Sequence, residues 1–389
     1  MNDGNTTSRF FSPQAIVSGV NALNSVVEEI KKLGGTKVLI VTDPGVVEAG
    51  LTTPLLDLIK RANISVELFD DVNPNPELAK VEACVALIKA GGHNLVIGFG
   101  GGSPMDVAKY AAALATHKGP VRDYLGMHML EHQGLPTITI PTTAGTGSEV
   151  SWAAVFHDEI DHVKKSVWSP YVLANTVIVD PSLTVSMPLV LTIDTGLDTL
   201  VHGLEAFVTK EAFHFTDALA LESVSRVGRG IRAVAEDGGN IEARYNMSVA
   251  STMAGLTICN AGMGAIHALA LLLDGEYGFT HARSLIVLTP QIMEFNLSSN
   301  YGKYASIARA LGESTDGSGL EEAARKAINA VLKIAKDLDV SVRLRDYGIK
   351  KDNLEEMGKK AFEIGQRLLH MNPRPLTETD AVRIYQNAY

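Results

Sequence analysis

The segment Leu95–Ser103, LVIGFGGGS, joins a short apolar run to a row of glycines, and the helix-like segment Pro104–Ala115 follows it directly. A strand that ends in glycines ahead of a helix lets backbone N–H groups approach an anion, and the helix N-terminus adds partial positive charge. The glycines do not form a G-x-G-x-x-G fingerprint, and a tight turn without a ligand is the alternative. The segment predicts an α/β sheet with a phosphate-binding turn formed by Gly100, Gly101, Gly102 and Ser103.

The residues around this segment repeat the same alternation of strand and helix. The β-rich runs are Lys37–Thr42, Val66–Phe69, Leu95–Phe99, Thr137–Ile140 and Val177–Val179, and the amphipathic segments include Pro54–Ala62 and Leu78–Ala90. Short apolar strands that alternate with helices predict a mainly parallel sheet covered on both faces. Ligands of such sheets gather at the carboxyl ends of the strands.

The pattern changes near Ser186, after which apolar residues recur at helical spacing. Examples are Thr216–Val227, Glu242–Ala254, Gly319–Leu338 and Leu354–Leu369. This spacing predicts an all-helical second half. We place the boundary near Met187–Pro188, which divides the chain into an α/β domain, 1–187, and a helical domain, 188–389.

The composition narrows the class of protein. Of the 389 residues, 46% are hydrophobic and 20% are charged, which is typical of a globular protein rather than a disordered one. A net charge of −10 argues against a nucleic-acid or membrane-surface partner, although a local basic pocket stays open. Two cysteines exclude a disulfide scaffold and a thiolate-rich metal site, which leaves imidazole and carboxylate as metal ligands.

The sequence also carries no targeting or membrane signal that we recognise. The N-terminal MNDGNTTSRFFSPQ lacks a basic region followed by an apolar run. The most apolar stretches span about a dozen residues, too few to cross a bilayer. We therefore expect a cytoplasmic protein without a membrane or nucleic-acid partner.

A second polar loop, Pro141–Val150 (PTTAGTGSEV), follows the next predicted strand. Thr and Ser hydroxyls bond phosphate, ribose or a carboxamide, and a solvated loop is the alternative. Two such loops at neighbouring strand ends predict one dinucleotide site. Asp43, at the end of the first strand, would accept the ribose hydroxyls and repel a 2′-phosphate, which favours NAD over NADP. A turn aspartate ahead of Pro44 is its alternative role.

The helical half contains a candidate metal constellation. Asp198 and His202 stand at i and i+4, on one helix face. A lone pair of this kind is more often a simple hydrogen bond. However, His267 lies in the apolar run GAIHALALLL, where an unpartnered imidazole would be costly, and His281 follows in FTHARS. One carboxylate and three imidazoles suit Fe²⁺ or Zn²⁺ rather than Mg²⁺ or Ca²⁺, but spacing alone leaves both interpretations open.

Together these motifs resemble the iron-containing (group III) alcohol dehydrogenases over nearly the whole chain. The motifs are GGGSPMDVAK (Gly100–Lys109), PTTAGTGSEV (Pro141–Val150), DTGLDTLVHGLEAFV (Asp194–Val208) and NAGMGAIHAL (Asn260–Leu269). The resemblance implies an α/β dinucleotide-binding domain followed by an all-α metal-binding domain, the architecture shared with dehydroquinate synthase. It also implies NAD as cofactor, Fe²⁺ or alternatively Zn²⁺, a small alcohol or aldehyde substrate, and a homodimer or larger homo-oligomer.

The resemblance also assigns site residues. The catalytic metal ligands would be Asp198, His202, His267 and His281. The GGGS turn would bind the pyrophosphate, and the further cofactor-binding residues would be Asp43, Asp106, Thr142, Thr143, Thr146, Ser148, Val150 and Lys164. Substrate contacts would come from Arg283, Trp152 and Ile258.

Several positions depart from the family pattern around the expected active site. Many members read HAxAHxLGG from the third ligand and PHG at the fourth. Here the run reads His267-Ala-Leu-Ala-Leu271-Leu-Leu-Asp274-Gly275, so Leu271 replaces the second histidine. Thr280-His281-Ala282 replaces PHG, Asp194 replaces a common alanine, and Arg283 replaces a small or apolar residue. Arg283 would either pair with an anionic group on the substrate or with a structural acid such as Asp194.

Other functions use similar folds and remain alternatives at this stage. A lyase of the dehydroquinate synthase type would need a Lys- and Arg-rich pocket, and no such cluster stands near the predicted ligands. A catalytically altered cofactor-binding relative and a spirosome-like scaffold are further alternatives. The four intact ligands favour the NAD(H)-dependent dehydrogenase or aldehyde reductase.

Overall fold

The computed structural model describes residues 7–161 and 163–389. They form two compact units, of which one is Phe11–Met187 and the other combines residues 7–10 with Pro188–Tyr389. The N-terminal segment thus belongs with the helices, whereas the sequence-based division placed it in the α/β domain. The aromatic ring of Phe10 accounts for this, since its centroid lies 6.4 Å from that of Phe213 and 6.1 Å from that of Phe215.

The α/β unit contains a parallel sheet and a smaller mixed sheet. Its strands are β1 (Ala15–Ser18), β2 (Lys37–Val41), β3 (Ser65–Phe69), β4 (Leu95–Gly100), β5 (Gly126–Met127), β6 (Thr137–Pro141), β7 (Ala153–Asp158), β8 (Val163–Trp168) and β9 (Thr176–Val179). Its helices are α1 (Val26–Lys32), α2 (Pro44–Glu48), α3 (Thr52–Arg61), α4 (Leu78–Gly91) and α5 (Gly102–Leu114). The larger sheet has six strands in the order β1-β9-β6-β4-β2-β3, all parallel, which confirms the predicted fold class.

The three-stranded sheet, β5-β8-β7, is not predicted from the sequence. Strands β7 and β8 form an antiparallel hairpin. The sequence of β8, VKKSVW, lacks the alternation of apolar and polar residues that marks a strand, and β7 starts directly after the polar loop.

The parallel sheet is buried on both faces by helices. Successive residues of β2 point to opposite sides, so that Leu39 and Val41 pack with α4 and α5 while Val38 and Ile40 pack with α1 and α3. All six residues of β4, in the middle of the sheet, are buried. Each fully buried apolar side chain of this kind contributes about 1.5–3 kcal/mol, which explains why the strands read as continuous apolar runs.

The register of the sheet brings three strand ends to one edge. Gly100 of β4 is level with Pro141 of β6, and Gly98 is level with Val41 of β2. The N–H of Thr142 donates to the carbonyl of Gly100 at 2.9 Å. Gly100 has a φ of +147°, and a Cβ there would lie 2.6 Å from Pro104 Cγ, so a glycine is required at this turn.

The second unit is helical, as the sequence predicts. Its helices are α6 (Leu189–Val208), α7 (His214–Glu236), α8 (Ile241–Ala261), α9 (Ala265–Glu276), α10 (His281–Asn296), α11 (Tyr301–Ala310), α12 (Leu320–Asp337), α13 (Leu354–Leu369) and α14 (Glu378–Asn387). Apolar side chains of α9, α10, α13 and α14 share one buried cluster. Within the described residues, no single helix is long and apolar enough to cross a membrane; α8 and α9, bent by 105°, meet the length and composition test only as a pair.

Candidate metal centre and cofactor loops

Helix α6 carries two of the predicted ligands on one face. Asp198 and His202 are one turn apart, and both are buried. Asp198 Oδ1 lies 3.3 Å from His202 Nε2. Burial lowers the pKa of His202 to about 4, with a further lowering from the neighbouring imidazoles and an opposing effect of Asp198. The imidazole is therefore neutral near pH 7, which is the form that ligates a metal.

His267, the third residue of α9, is held by a carboxylate that sequence reasoning missed. Its Nδ1 lies 2.6 Å from Oε2 of Glu205, and the N–H of Ile266 donates to Oε1 of Glu205 at 2.6 Å. Glu205 thus satisfies a free N–H at the start of α9 and orients the ring of His267. With Nδ1–H donating to the carboxylate, Nε2 remains as the ligand atom. A glutamate inside the apolar run LVHGLEAFV, three residues after His202, was the available signal.

His281, the first residue of α10, is the exposed member of the set. Its side chain is 45% exposed, and its Nε2 lies 3.8 Å from Asp198 Oδ1. Nδ1 lies 2.6 Å from Oδ2 of Asp274. The ring therefore presents Nε2 to the same point as the other ligands.

The structure brings all four predicted ligands together. One ligand atom from each of Asp198, His202, His267 and His281 lies within 4.8 Å of the others. The rings of His202 and His267 are nearly parallel, with centroids 5.0 Å apart. Among the described residues, the buried atoms Asp198 Oδ1 and His267 Nε2 have no hydrogen-bond partner. Because buried polar atoms are normally paired, these atoms fit a cation, and the donor set of nitrogen and oxygen fits Fe²⁺ or Zn²⁺.

In the α/β unit, the two predicted loops lie side by side at the ends of β4 and β6. A Cβ on Gly101 would lie 3.6 Å from Thr143, and one on Gly102 would lie 3.2 Å from Thr146. The N-terminus of α5 begins at Gly102 and includes Ser103, so its backbone N–H groups open onto these loops. The buried Thr143 Oγ1 has no hydrogen-bond partner among the described residues. Thr142 is buried, and Thr146 Oγ1 accepts from the N–H of Ser148 at 3.2 Å.

Some of the predicted cofactor residues instead connect the loops to each other. Asp106 Oδ1 accepts from Ser148 Oγ at 2.5 Å, and Asp106 Oδ2 accepts from the N–H of Val155 at 2.9 Å. Both carboxylate oxygens of Asp106 are therefore engaged within the protein. Val150 is fully buried in the turn Ser148–Val150. A contact of these side chains with a cofactor stays a prediction.

Lys109, on α5, is the main residue of this region that sequence reasoning missed. It is 1% exposed, and its Nζ donates to the carbonyls of Ser148, Ser151 and Ala153 at 2.7, 3.2 and 2.8 Å. Nζ also lies 3.2 Å from Asp106 Oδ1. A lysine within the apolar run VAKYAAALA was a signal for a buried, fully bonded charge.

Asp43 follows β2 and caps the short helix α2. Its Oδ1 accepts from the N–H of Val46 at 3.0 Å, which is the turn role proposed as the alternative. A Cβ on Gly100 would lie 3.1 Å from Asp43 Oδ2, so the other oxygen lies beside the glycine turn. Partial burial raises the pKa of Asp43, against the hydrogen bonds from Val46 and Gly45. The two roles are compatible, because they use different oxygens.

The remaining predicted residues lie in varied surroundings. Lys164 is exposed on β8, where it pairs with His157 of β7. Trp152 packs against the rings of Phe11, His128 and Trp168, and Ile258 packs against Ala206, Ala212 and Ala261. Their predicted contacts with cofactor or substrate stay predictions.

Arg283 forms the ion pair that the sequence left as its alternative role. Its Nε donates to Asp194 Oδ1 at 2.7 Å, and its side chain is 20% exposed. The structure thus supplies a protein partner for this guanidinium, and its predicted contact with the substrate stays a prediction.

Comparison with known proteins shows the family to which the chain belongs. A family model for iron-containing alcohol dehydrogenase matches residues 13–181, and one for the C-terminal part of the Fe-containing alcohol dehydrogenase family matches residues 192–389. The chain is 38% identical to long-chain-alcohol dehydrogenase 1 of Geobacillus thermodenitrificans, over 99% of this chain and 97% of that protein.

Solved structures share the fold over the same length. The structure of a 1,3-propanediol oxidoreductase superposes with a TM-score of 0.94 and is 34% identical, over 99% of this chain and 100% of that one. Sulfoacetaldehyde reductase from Bifidobacterium kashiwanohense, solved in complex with NAD⁺, has a TM-score of 0.90 and 25% identity, over 99% of both chains. The chain belongs to the iron-containing alcohol dehydrogenase family, whose members are oxidoreductases that act on CH–OH groups.

Proposed function

We propose that the protein is an NAD(H)-dependent, divalent-metal-dependent alcohol dehydrogenase or aldehyde reductase that acts on a small alcohol or aldehyde. The observation that carries this proposal is the ligand cluster, with its four ligand atoms within 4.8 Å of one another. Two of these atoms are buried and have no hydrogen-bond partner in the described part of the chain. A cluster with this unmet coordination is costly unless a cation completes it.

The ligand residues would hold Fe²⁺, with Zn²⁺ as the alternative. A divalent cation held there supplies Lewis acidity toward an alcohol oxygen or an aldehyde carbonyl. Asp198 contributes one negative charge, and the three imidazoles contribute none when neutral. Burial of His202 keeps its ring in that neutral form, and Glu205 and Asp274 keep the rings of His267 and His281 oriented. These residues thus maintain an electropositive, partly dry site when the cation is bound.

The loops of the α/β unit would bind NAD. Gly101 and Gly102 leave the backbone N–H groups at the start of α5 accessible to a pyrophosphate. Thr143 Oγ1, in one of these loops, is a buried hydroxyl that has no partner in the described residues and is suited to bond the cofactor. Asp43 Oδ2 would accept from the ribose hydroxyls, which favours NAD over NADP.

The substrate class follows less directly from the site. The relatives named above act on long-chain alcohols, 1,3-propanediol or sulfoacetaldehyde, as their names state. Because Arg283 is paired with Asp194, we propose neutral alcohols and aldehydes as the first class, with anionic ones as the contrast. Leu271 carries no titratable group, so a proton released from the alcohol would leave without a relay at that position.

Metal content and cofactor reduction test the proposal together. The purified protein should contain about one Fe²⁺ or Zn²⁺ per chain and should form NADH from NAD⁺ with an alcohol of the preferred class. Net accumulation of NADH distinguishes a dehydrogenase from a lyase that uses NAD transiently. Exposed Asp57, on α3 of the α/β unit, offers a matched control. Because it lies in the other unit from the metal cluster, Asp57→Ala should leave the metal content and NADH formation unchanged.

The ligand variants Asp198→Ala and His267→Ala should lose the metal and at least about a thousandfold of the NADH formation, because Lewis acidity is worth several kcal/mol. Both variants should still bind NAD⁺, as measured by quenching of tryptophan fluorescence. Full activity in a metal-free Asp198→Ala protein would contradict the proposed function.

A further inference from the structure

The exposed ligand His281 lies at a helix terminus, where the backbone is least constrained. The other ligands are buried, two of them in the interior of α6, whereas His281 is the first residue of α10 and its side chain is 45% exposed. The first turn of a helix has unpaired N–H groups and frays most readily. The cap residue Thr280 forms no side-chain bond to its own helix, and the first turn of α10 has no acidic residue. Within α10, Ser284 Oγ donates to the carbonyl of His281 at 2.6 Å, and the other side-chain contacts that order this turn come from other elements.

A carboxylate on α6 holds one side of this turn. Asp194 lies one helical turn before the ligand Asp198 and is 9% exposed. Its Oδ2 accepts from Thr280 Oγ1 at 2.9 Å, and its Oδ1 accepts from Arg283 Nε at 2.7 Å. Both oxygens of Asp194 are thus used by residues that flank His281.

A carboxylate on α9 holds the other side. Asp274 Oδ2 lies 2.6 Å from Nδ1 of His281, and its Oδ1 accepts from the hydroxyl of the buried Ser284. The bond to Nδ1 selects the tautomer in which Nε2 faces the other ligands. Ser284 lies about one helical turn after His281 on α10. Its bond to Asp274 therefore ties the carboxylate that orients the His281 ring to the helix that carries this ring.

We propose that Asp194 and Asp274 are positioning residues that keep the exposed ligand His281 in its metal-binding orientation. They act from two different helices on Thr280, His281, Arg283 and Ser284, and both bring negative charge to the N-terminus of α10, which favours the helical turn. The contacts above join Asp194, Asp274, Thr280 and Arg283 into one arrangement around His281. The inference rests on the metal centre of the proposed function.

The retention of bound metal tests this proposal. The protein is loaded with Co²⁺, whose visible absorption reports ligand geometry, and release of Co²⁺ to excess EDTA is timed. Loss of a carboxylate that orients a metal-bound histidine typically costs about 10- to 100-fold in metal affinity, so Asp274→Asn should release Co²⁺ faster by about that factor and should alter the absorption bands. Asp194→Asn acts through the backbone turn, and we expect a smaller acceleration.

A matched control separates a positioning role from a general loss of stability of the helical unit. Asp217, on α7 of the same unit, accepts from Lys303 Nζ at 2.7 Å and is part of no contact with the ligands described above. Asp217→Asn should release Co²⁺ at the rate of the parent protein. Ser284→Ala serves as a second probe should Asp274→Asn fail to fold, since it removes the bond to Asp274 Oδ1 together with the 2.6 Å bond to the carbonyl of His281 and leaves the Asp274 carboxylate in place.

The outcomes are distinguishable from failure of the proposed function. A parent protein that binds no Co²⁺, or an Asp198→Ala variant that binds it equally well, would overturn the metal centre itself. A parent that binds Co²⁺, with unchanged release and spectra in Asp274→Asn, Asp194→Asn and Ser284→Ala, would overturn the positioning role alone. Equal acceleration in Asp217→Asn would also overturn it.

Discussion

In the helical unit, the metal cluster leaves Asp198 Oδ1 and His267 Nε2 buried without a hydrogen bond, whereas in the α/β unit Asp106 and Ser148 are bonded to each other. The buried atoms of the metal cluster can be satisfied only by a ligand. The side chains under the α/β loops are satisfied by other groups of the protein. In the proposed function, side chains would bind the metal in the helical unit, whereas side chains of the α/β unit would support the backbone that binds the pyrophosphate.

This difference has a physical origin in the two ligands. A divalent cation requires charged or strongly polar donors from several elements, which only side chains supply. A pyrophosphate is bound by backbone N–H groups at a helix N-terminus, and side chains close to it are needed to hold the loops still. The expected failures differ accordingly. Changes at the metal cluster should alter affinity, and changes under the loops should alter stability.

Lys109→Met should have the largest effect, because it removes the support of the loops. The change leaves the carbonyls of Ser148, Ser151 and Ala153 and the carboxylate of Asp106 without their buried cation. Breaking a buried charged network of this kind costs about 3–5 kcal/mol, which should appear in the free energy of unfolding measured with urea.

A lysine with an exposed partner provides the comparison. Lys80 pairs with Asp71, whose side chain is 69% exposed, so Lys80→Met should change the free energy of unfolding by about 1 kcal/mol or less. If Lys109→Met were as stable as Lys80→Met, the loops would not depend on this lysine, and the contrast between the two regions would be lost.

Glu205→Gln is the corresponding change beneath the metal cluster. Glutamine retains an oxygen for the N–H of Ile266 but no longer presents a charged acceptor to Nδ1 of His267. We expect Zn²⁺ affinity to fall by about 10- to 100-fold, measured by competition with a chromophoric chelator, while the fold persists. Glu294, on α10, forms an exposed ion pair with Arg325 on α12, and Glu294→Gln should leave the Zn²⁺ affinity unchanged. A similar loss in both variants would argue against a specific role for Glu205.

The sequence predicts what depends on residue type and periodicity. Apolar runs such as LVIGFG identify the buried strands, whereas three imidazoles with one carboxylate suggest metal ligands but leave a hydrogen-bonded set open on spacing alone. The glycine row likewise predicts the turn between β4 and α5. Each of these features is local in the chain, or has a chemistry that is rare enough to stand out.

What the sequence did not predict are the partners brought together by folding. The pairing of Asp274 with His281 spans seven residues, whereas that of Glu205 with His267 spans 62. Nothing in the local pattern around either acid states which histidine it will meet. Asp106 shows the converse, because its place in the glycine motif indicated a cofactor contact while both its oxygens support the neighbouring loop. Register and helix packing decide these contacts.

Gly101→Ala sharpens the comparison at the backbone surface itself. Gly101 has a φ of −77°, and a Cβ there would meet Thr143 at an ordinary 3.6 Å, so alanine fits the fold. The methyl group would nevertheless stand where, in the proposed function, the pyrophosphate approaches the backbone. We expect the affinity for NAD⁺ to fall about tenfold, or ~1.4 kcal/mol, with unchanged stability.

The neighbouring glycine gives the opposite result. At Gly100 the turn would hold an alanine at a φ of +147° and place its Cβ 2.6 Å from Pro104 Cγ. Gly100→Ala should therefore lower the free energy of unfolding by about 1–3 kcal/mol. Titration calorimetry with NAD⁺ and urea unfolding measure both variants. Unaltered NAD⁺ affinity in a folded Gly101→Ala protein would remove the loop from the cofactor site.

Asp43→Ser should have the smallest effect, and it tests whether a loop side chain can serve structure and ligand at once. Serine can still accept from the N–H of Val46, so the cap of α2 should persist, but the negative charge beside Gly100 is lost. A charge of one unit a few ångströms from a 2′-phosphate is worth about 1 kcal/mol in water, so the preference for NAD⁺ over NADP⁺ should weaken roughly fivefold. Exposed Asp57, changed to serine, should leave the preference as it is. Because the cap uses Oδ1 while Oδ2 lies beside Gly100, we expect a shift in preference without a loss of stability. An unchanged preference would confine Asp43 to its role in the turn.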